Sequence, residues 1–160
     1  MISFGFSLAG LLVSLAILLP NLVLLVAPAD GAPRPLPAPR PVIVWAERIG
    51  QAGCLVLPAL TGGSAGLSPW AVLTALFIAA YWALWLRYLI TGRRFAQLYS
   101  RLGPIPVPMA VFPVAAFFTA SAWLLSWPLA VAAAVLAVGH IPTALTIARR
   151  TRASMGNQPR

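Results

Sequence analysis

The sequence predicts an all-α integral membrane protein, built as a bundle of five transmembrane helices. Three observations predict this class. Hydrophobic residues make up 61% of the 160 residues and charged residues only 8%, whereas soluble domains carry about 25% charged residues. The apolar residues gather in five runs, each close to the ~20 residues that cross ~30 Å of hydrocarbon as a helix. The basic residues fall mainly between these runs, as in the loops of membrane proteins.

The five runs predict helices at about 2–27, 42–61, 69–91, 106–126 and 128–149. The first run is expected to be a span rather than a signal peptide, whose apolar region has only about 7–15 residues. The proline-rich segment PADGAPRPLPAPRP separates the first helix from the second, because proline interrupts a helix. In the next linker, GGSAGLSP, Ser68 is a candidate N-cap and Pro69 a candidate first helical residue.

The linker GRRFAQLYSRLGP alternates arginine with apolar residues, a pattern that indicates a short amphipathic helix at the membrane surface. Only Ser126-Trp127-Pro128 separates the fourth apolar run from the fifth. Because about forty apolar residues are too many for one crossing, we expect a helical hairpin there. Pro113 and Pro142 are expected to kink its two helices.

Arginine placement predicts the orientation of the bundle. All 11 basic residues are arginines, and most of them lie in the first loop, the third loop and the C-terminal segment: Arg34, Arg40, Arg93, Arg94, Arg101, Arg149, Arg150, Arg152 and Arg160. Five helices put these segments on one side, which the positive-inside rule makes cytoplasmic. We therefore expect an outer N-terminus, one domain over 1–149, a basic cytoplasmic tail over 150–160 and a multi-pass location in the bacterial inner (plasma) membrane.

Five polar residues lie inside the apolar runs at similar depth. At 1.5 Å per residue, Asn21, Glu47, Gln51, Arg87 and His140 fall about 7–15 Å from the cytoplasmic helix ends, and they come from four helices. Ionisable groups at such depth are costly and commonly functional. Glu47 and Gln51 share a helix face through their i, i+4 spacing, and Arg87 is the expected partner of Glu47. These residues predict a site in the cytoplasmic half, with the outer half closed.

Aromatic side chains follow the same face of the third helix. Tyr81, Trp85 and Tyr88 form one stripe, and we expect Trp82 and Phe112 to contribute to the same pocket. Structural alternatives stay open: a buried Glu–Arg pair that fixes helix register, a His140 bond to a carbonyl freed by Pro142, an Asn21 bond between helices, and simple packing of the aromatics.

Other functional classes find no support in the sequence. One histidine and the lone Cys54 leave too few residues for a metal site, since zinc takes four ligands. P-loop, GxGxxG and HExxH motifs do not occur, so we expect no cofactor. Nucleic acid is not an expected partner, because the arginines lie between apolar runs rather than on one polar face.

The segments LPN, ERIGQAGCLVLP, LWLRY, PMAVFP and GHIP occur in this order in the five runs. In these five segments the chain resembles a group of short bacterial integral membrane proteins mostly labelled hypothetical. In size, helix content and a lone intramembrane carboxylate it is also similar to small bacterial membrane terpene cyclases. This resemblance implies an enzyme that cyclises a hydrophobic, isoprenoid molecule without losing diphosphate.

The roles implied by the resemblance are those of acid-initiated cyclisation. Glu47 would protonate an alkene or epoxide, aromatic faces would stabilise the cation, and His140 or Tyr88 would accept a proton. Substrate-binding residues would be Asn21, Gln51, Tyr81, Trp82, Trp85, Arg87, Tyr88 and Phe112. Two other functions stay open: a small carrier that uses Glu47 and His140 as a proton relay, and a lipid-binding or scaffold subunit with a structural Glu–Arg pair.

Overall fold

The computed structural model describes residues 5–32, 39–61 and 66–156. Within these ranges the regular elements are all helices, so the all-α class is confirmed. The helices are α1 (Leu8–Asn21), α2 (Val23–Val26), α3 (Pro41–Leu60), α4 (Pro69–Ile90), α5 (Phe95–Leu98), α6 (Pro108–Trp123) and α7 (Trp127–Gly156). Four stretches are long and apolar enough to cross a membrane: Leu8–Val26, Pro41–Leu60, Pro69–Ile90 and Trp127–Ser154. The fifth, α6, is apolar but has 16 residues.

Serine and proline mark where several helices begin. Ser7 and Ser68 cap α1 and α4 by accepting backbone N–H bonds, while α3, α4 and α6 have proline in their first turn. Both arrangements satisfy or remove the unpaired N–H groups of a helix start. Pro20 lies next to the break at Leu22 that separates α1 from α2. At the other end of the chain, α7 continues to Gly156, past the predicted end at 149.

Named contacts show that the five long helices alternate in direction. The start of α1 meets the end of α3, where Ser7 N donates to Ala59 O over 2.9 Å. Further antiparallel neighbours are α3 with α7 and α4 with α6, the latter joined by Thr74 and Thr119 over 2.9 Å. Helices α6 and α7 form the expected hairpin. Parallel α1 and α4 are linked by a bond from Trp82 Nε1 to Ala16 O of 2.7 Å.

This alternation gives the bundle two different ends. The basic end contains the C-terminal ends of α1, α4 and α7 and the N-terminal ends of α3 and α6. Every arginine in the described ranges lies in the half of the bundle nearest that end: Arg40, Arg48, Arg87, Arg93, Arg94, Arg101, Arg149, Arg150 and Arg152. At the opposite end, buried Thr61 and Ser126 share a 2.6 Å hydrogen bond that ties α3 to the start of α7.

Glycines bring α3 and α7 into backbone contact. A Cβ atom on Gly50 would lie 2.4 Å from Leu136 N, and one on Gly139 would lie 2.4 Å from Glu47 N. Both distances are far below a nonbonded contact of about 3.5 Å, so a side chain at either position would force the helices apart. Glycine therefore sets the spacing of this pair, as small residues do at close helix interfaces.

Candidate functional site

The centre of the candidate site is a hydrogen-bonded pair across the α3–α7 interface. His140 Nδ1 and Glu47 Oε1 lie 2.6 Å apart, with side chains 29% and 21% exposed. Gly139, the residue before His140, packs against the Glu47 backbone. The two side chains therefore meet because the helices that carry them are held in contact one residue away.

The pairing assigns different roles to the two imidazole nitrogens. An ionised carboxylate can only accept hydrogen bonds, so Nδ1 of His140 carries the proton that Glu47 binds. The other nitrogen, Nε2, is then a base in the neutral ring and a proton donor in the charged ring. A carboxylate that orients and stabilises a histidine in this way is a recurring arrangement in acid–base catalysis.

The prediction that Glu47 pairs with Arg87 is wrong. Arg87 instead donates from a terminal guanidinium nitrogen to Ser100 Oγ over 3.1 Å. The reason lies in the neighbours of each helix: α3 packs mainly on α7 and α1, whereas α4 packs mainly on α6. Arg48, beside Glu47 in sequence, is exposed and lies 5.9 Å from the Trp45 ring centre.

His140 lines a cavity between α1, α3, α4, α6 and α7, which we call the α1/α3 cavity. Its volume is about 260 Å³. Polar groups come from Asn21, Gln51, Tyr81 and His140, and the remaining lining residues are Ile17, Leu18, Leu55, Pro113, Phe117 and Leu136. Three residues of the predicted polar layer thus line one largely apolar cavity, with Tyr81 from the predicted aromatic stripe.

A second cavity of about 170 Å³ lies toward the basic end, and we call it the Trp85 cavity. It shares Asn21, Tyr81 and His140 with the first and is otherwise lined by Leu24, Trp85, Leu98, Tyr99, Met109, Ala110 and Ala144. The hydroxyl of Tyr81 donates to Asn21 Oδ1 over 2.8 Å. This bond lies where the two cavities adjoin, and His140 is accessible from both.

Four of the predicted substrate-binding residues lie outside both cavities. Trp82 faces a groove between α1 and α4, and Arg87 holds Ser100. The other two are buried: Tyr88 donates its hydroxyl to Ala27 O over 2.9 Å, and Phe112 packs on a neighbouring ring. Periodicity placed these residues on the correct helices but did not identify which faces meet the cavities.

Tyr99 is a lining residue that the sequence did not predict. It follows α5, in the segment expected to lie along the membrane surface, and packs on Phe95 with ring centres 5.0 Å apart. Burial raises the pKa of the Tyr99 phenol above its ordinary value, and the charge of Glu47 acts in the same direction. The phenol therefore keeps its proton at neutral pH. In the linker Tyr99 alternates with arginines, and this pattern did not predict that its side chain lines a cavity inside the bundle.

The α1/α3 cavity reaches the surface of the bundle toward the basic end. At the opposite end of the bundle α1 and α3 are tight, because a Cβ on Gly10 would lie 1.7 Å from Pro58 O. Ser14 Oγ reaches Cys54 O at 3.4 Å one turn further. Toward the basic end, Asn21 and Gln51 line the cavity and are also exposed. The cavity therefore reaches the side of the bundle between α1 and α3.

Comparison of the chain with protein-family models, curated proteins and solved structures gives no match. The resemblance to membrane terpene cyclases thus stays a prediction.

Proposed function

We propose that the chain is a multi-pass protein of the bacterial inner membrane with five crossings, an outer N-terminus and a cytoplasmic C-terminus. The alternating helix directions support α6 as a crossing, since it runs antiparallel to both α4 and α7. Its 16 residues cover about 24 Å at 1.5 Å per residue, and the flanking residues Val107 and Leu124 are buried. The arginines at one end support the orientation.

We further propose that this protein is a membrane-embedded terpene cyclase that protonates an alkene or epoxide of a prenyl chain. The observation that carries the proposal is the Glu47–His140 pair, whose imidazole lines two adjoining, mostly apolar cavities. The opening between α1 and α3 would admit a hydrophobic substrate from the surrounding bilayer. Pockets of a few hundred Å³ with few polar groups are typical of sites for small molecules.

In this proposal His140 rather than Glu47 delivers the proton. Glu47 lines neither cavity, whereas His140 lines both. The charged imidazole gives its Nε2 proton to the substrate, forming an O–H bond as an epoxide C–O bond breaks, or a C–H bond from an alkene. The ionised Glu47 stabilises the imidazolium before transfer and holds the ring in place.

The remaining steps need no cofactor. The electron pairs of internal double bonds close the rings, and the cation that moves along the chain is stabilised by the ring faces of Tyr81, Trp85 and Phe117. The neutral Nε2 then removes a proton from the carbon next to the final cation. Histidine is thereby recharged and the product has the mass of the substrate. Walls that exclude water protect the cation from capture.

The proposal is tested with protein reconstituted in liposomes and supplied with farnesol or its terminal epoxide. We expect a cyclic isomer of unchanged mass, separated by gas chromatography. His140→Gln should reduce its formation by about 10²–10⁴-fold, the usual contribution of general acid–base catalysis. Glu47→Gln should also reduce the rate, because a neutral amide stabilises the imidazolium less. Arg48→Gln is the matched control, since it removes an exposed charge from the same helix.

The same variants separate this function from the alternatives. If Glu47 and His140 form only a structural tie, both variants should lower stability and the wild-type protein should leave the probes unchanged. If they form a proton relay of a carrier, proton flux into the liposomes should depend on them, again without an isomer. Formation of the isomer at the wild-type rate by folded His140→Gln protein would reject the proposed mechanism.

A further inference from the structure

Gln51 carries an accessible side-chain amide on the wall of the α1/α3 cavity. The residue is exposed, and it lines the cavity together with Leu55, which lies one turn further along the same face of α3. The hydrogen bonds that join the middle of α3 to neighbouring helices use Glu47 and the Cys54 carbonyl. Within the described part of the chain, the two N–H donors and the carbonyl oxygen of the Gln51 amide have no hydrogen-bond partner.

Gln51 lies too deep for water to satisfy this amide in the proposed membrane location. It is about 15 Å from the start of α3 at Pro41, at 1.5 Å per residue. At that depth the surroundings are hydrocarbon, in which an unpaired amide is costly. The other amide of the cavity does pair: Asn21 donates to Ile17 O over 2.9 Å and accepts from Tyr81 over 2.8 Å. A molecule in the cavity would supply the partner that Gln51 lacks.

The charges around the cavity favour a neutral partner for this amide. Within the described residues its lining contains no arginine, and Arg87 on α4 is bonded to Ser100. The lining residue His140, when charged, is already neutralised by Glu47. A phosphate or carboxylate group would therefore lose its water without gaining a positive partner of its own. A neutral oxygen avoids this cost, and a hydroxyl can both donate to and accept from the Gln51 amide.

We propose that Gln51 binds a neutral oxygen of the substrate, best a hydroxyl, at the side opening of the α1/α3 cavity. Gln51 lies one turn of α3 from Glu47, about 6 Å along the helix, and the Glu47–His140 pair marks where the proton is delivered. The bound oxygen is therefore separate from the alkene or epoxide that His140 protonates. It determines which end of the prenyl chain stays at the opening and which end reaches the histidine. This inference rests on the proposed function and narrows its substrate class to isoprenoids with a neutral polar head.

The test measures the binding of three probes: farnesol, the hydrocarbon farnesene and farnesyl phosphate. Native mass spectrometry of the detergent-solubilised protein gives the bound fraction of each probe, corrected for its partition into protein-free micelles. Wild-type protein should bind farnesol most tightly. Gln51→Met keeps the length of the side chain but removes the amide. It should lower the farnesol-to-farnesene ratio of affinities by about 2- to 10-fold, the worth of one hydrogen bond.

Two controls separate ligand binding from a structural role of Gln51. Ala52→Leu changes an exposed neighbour that lines neither cavity, and it should leave the ratio unchanged. Without ligand, Gln51→Met should be at least as stable as the wild type, because the amide bonds to no neighbouring helix in the described ranges. If Gln51 instead joined two copies of the chain, Gln51→Met would shift the mass spectrum from dimer to monomer and leave the ratio unchanged. That result would overturn the proposal.

A measurement on the wild-type side chain keeps the test valid if Gln51→Met does not fold. In protein labelled with ¹⁵N-glutamine, farnesol should shift the side-chain amide signals of one glutamine, and farnesene should not. The same shift should persist in Gln97→Met protein, which retains Gln51. Absence of this shift, equal affinity for farnesol and farnesene, or tighter binding of farnesyl phosphate overturns the inference but leaves a binding site for the prenyl chain. Binding of none of the probes overturns the proposed function together with the inference.

Discussion

Gly139→Ala should separate α3 from α7 and break the Glu47–His140 hydrogen bond. The added Cβ would lie 2.4 Å from Glu47 N, whereas an ordinary nonbonded contact is about 3.5 Å. The helices must therefore move apart by about 1 Å at this point. The same displacement would stretch the 2.6 Å bond to about 3.6 Å, beyond hydrogen-bonding distance.

The expected loss of stability follows from three contributions. Overpacking an interface costs about 1–3 kcal/mol, and loss of a hydrogen bond to a charged group costs about 1.5–3 kcal/mol. Alanine returns about 1 kcal/mol because it favours the helix more than glycine. The net decrease in the free energy of unfolding should be about 2–4 kcal/mol. Unfolding in a titration with denaturing detergent, followed by circular dichroism, measures it.

The state of the hydrogen bond can be measured independently. His140 is the one histidine of the sequence, so ¹⁵N-histidine labelling gives unambiguous imidazole resonances. The short bond should place the Nδ1 proton far downfield in the wild type, and Gly139→Ala should remove this signal. Gly66→Ala, where no atom lies within 4 Å of the new Cβ, is the control and should change neither quantity. Wild-type stability and an unchanged signal in Gly139→Ala would refute the close approach of the two helices.

Three further predictions concern the ends of the bundle. Thr61→Val and Ser126→Ala should be non-additive in a double-mutant cycle by about 0.5–1.5 kcal/mol, because both remove one 2.6 Å bond; additive losses would contradict that bond. Since the pKa of Tyr99 is raised in the folded state, the unfolded chain ionises first, so stability falls as pH rises above about 10. Tyr99→Phe should make this alkaline loss shallower, and an unchanged slope would contradict it. Cysteines at Gly66 and Gly156, in a Cys54→Ala background, should react from opposite sides of the membrane; labelling from one side would refute five crossings.

Much of the fold could be predicted because proline and serine mark helix starts directly. The predicted segments 42–61 and 69–91 correspond closely to Pro41–Leu60 and Pro69–Ile90. Helix ends were less predictable. The turn between α6 and α7 places Leu125 at φ 52°, a conformation that usually requires glycine. Because the sequence has leucine at this position, the residue type did not predict the turn. The sequence likewise did not predict that α7 continues past residue 149 to Gly156.

The sequence predicted how deep in the bundle the residues of the candidate site lie, but it did not predict which side chains pair with each other. Counting residues from the helix ends placed Asn21, Gln51 and His140 in one layer, and these three line the same cavity. Choosing a partner for Glu47 required knowing which helix lies beside α3. Opposite charge favoured Arg87, but charge alone does not bring two helices together.

The signal that identifies the correct partner is the glycine next to His140. In a membrane bundle a glycine commonly marks the position where two backbones touch, and polar residues one position away are then held within reach of the facing helix. Gly139 contacts the backbone of Glu47. The side chain of Glu47 therefore meets the imidazole of His140, the residue that follows Gly139. Gly50, about one turn further along α3, makes a similar close contact with the backbone of Leu136. Close helix approach therefore determines which polar groups pair, and the pairing determines that His140, not Glu47, is presented to the cavities.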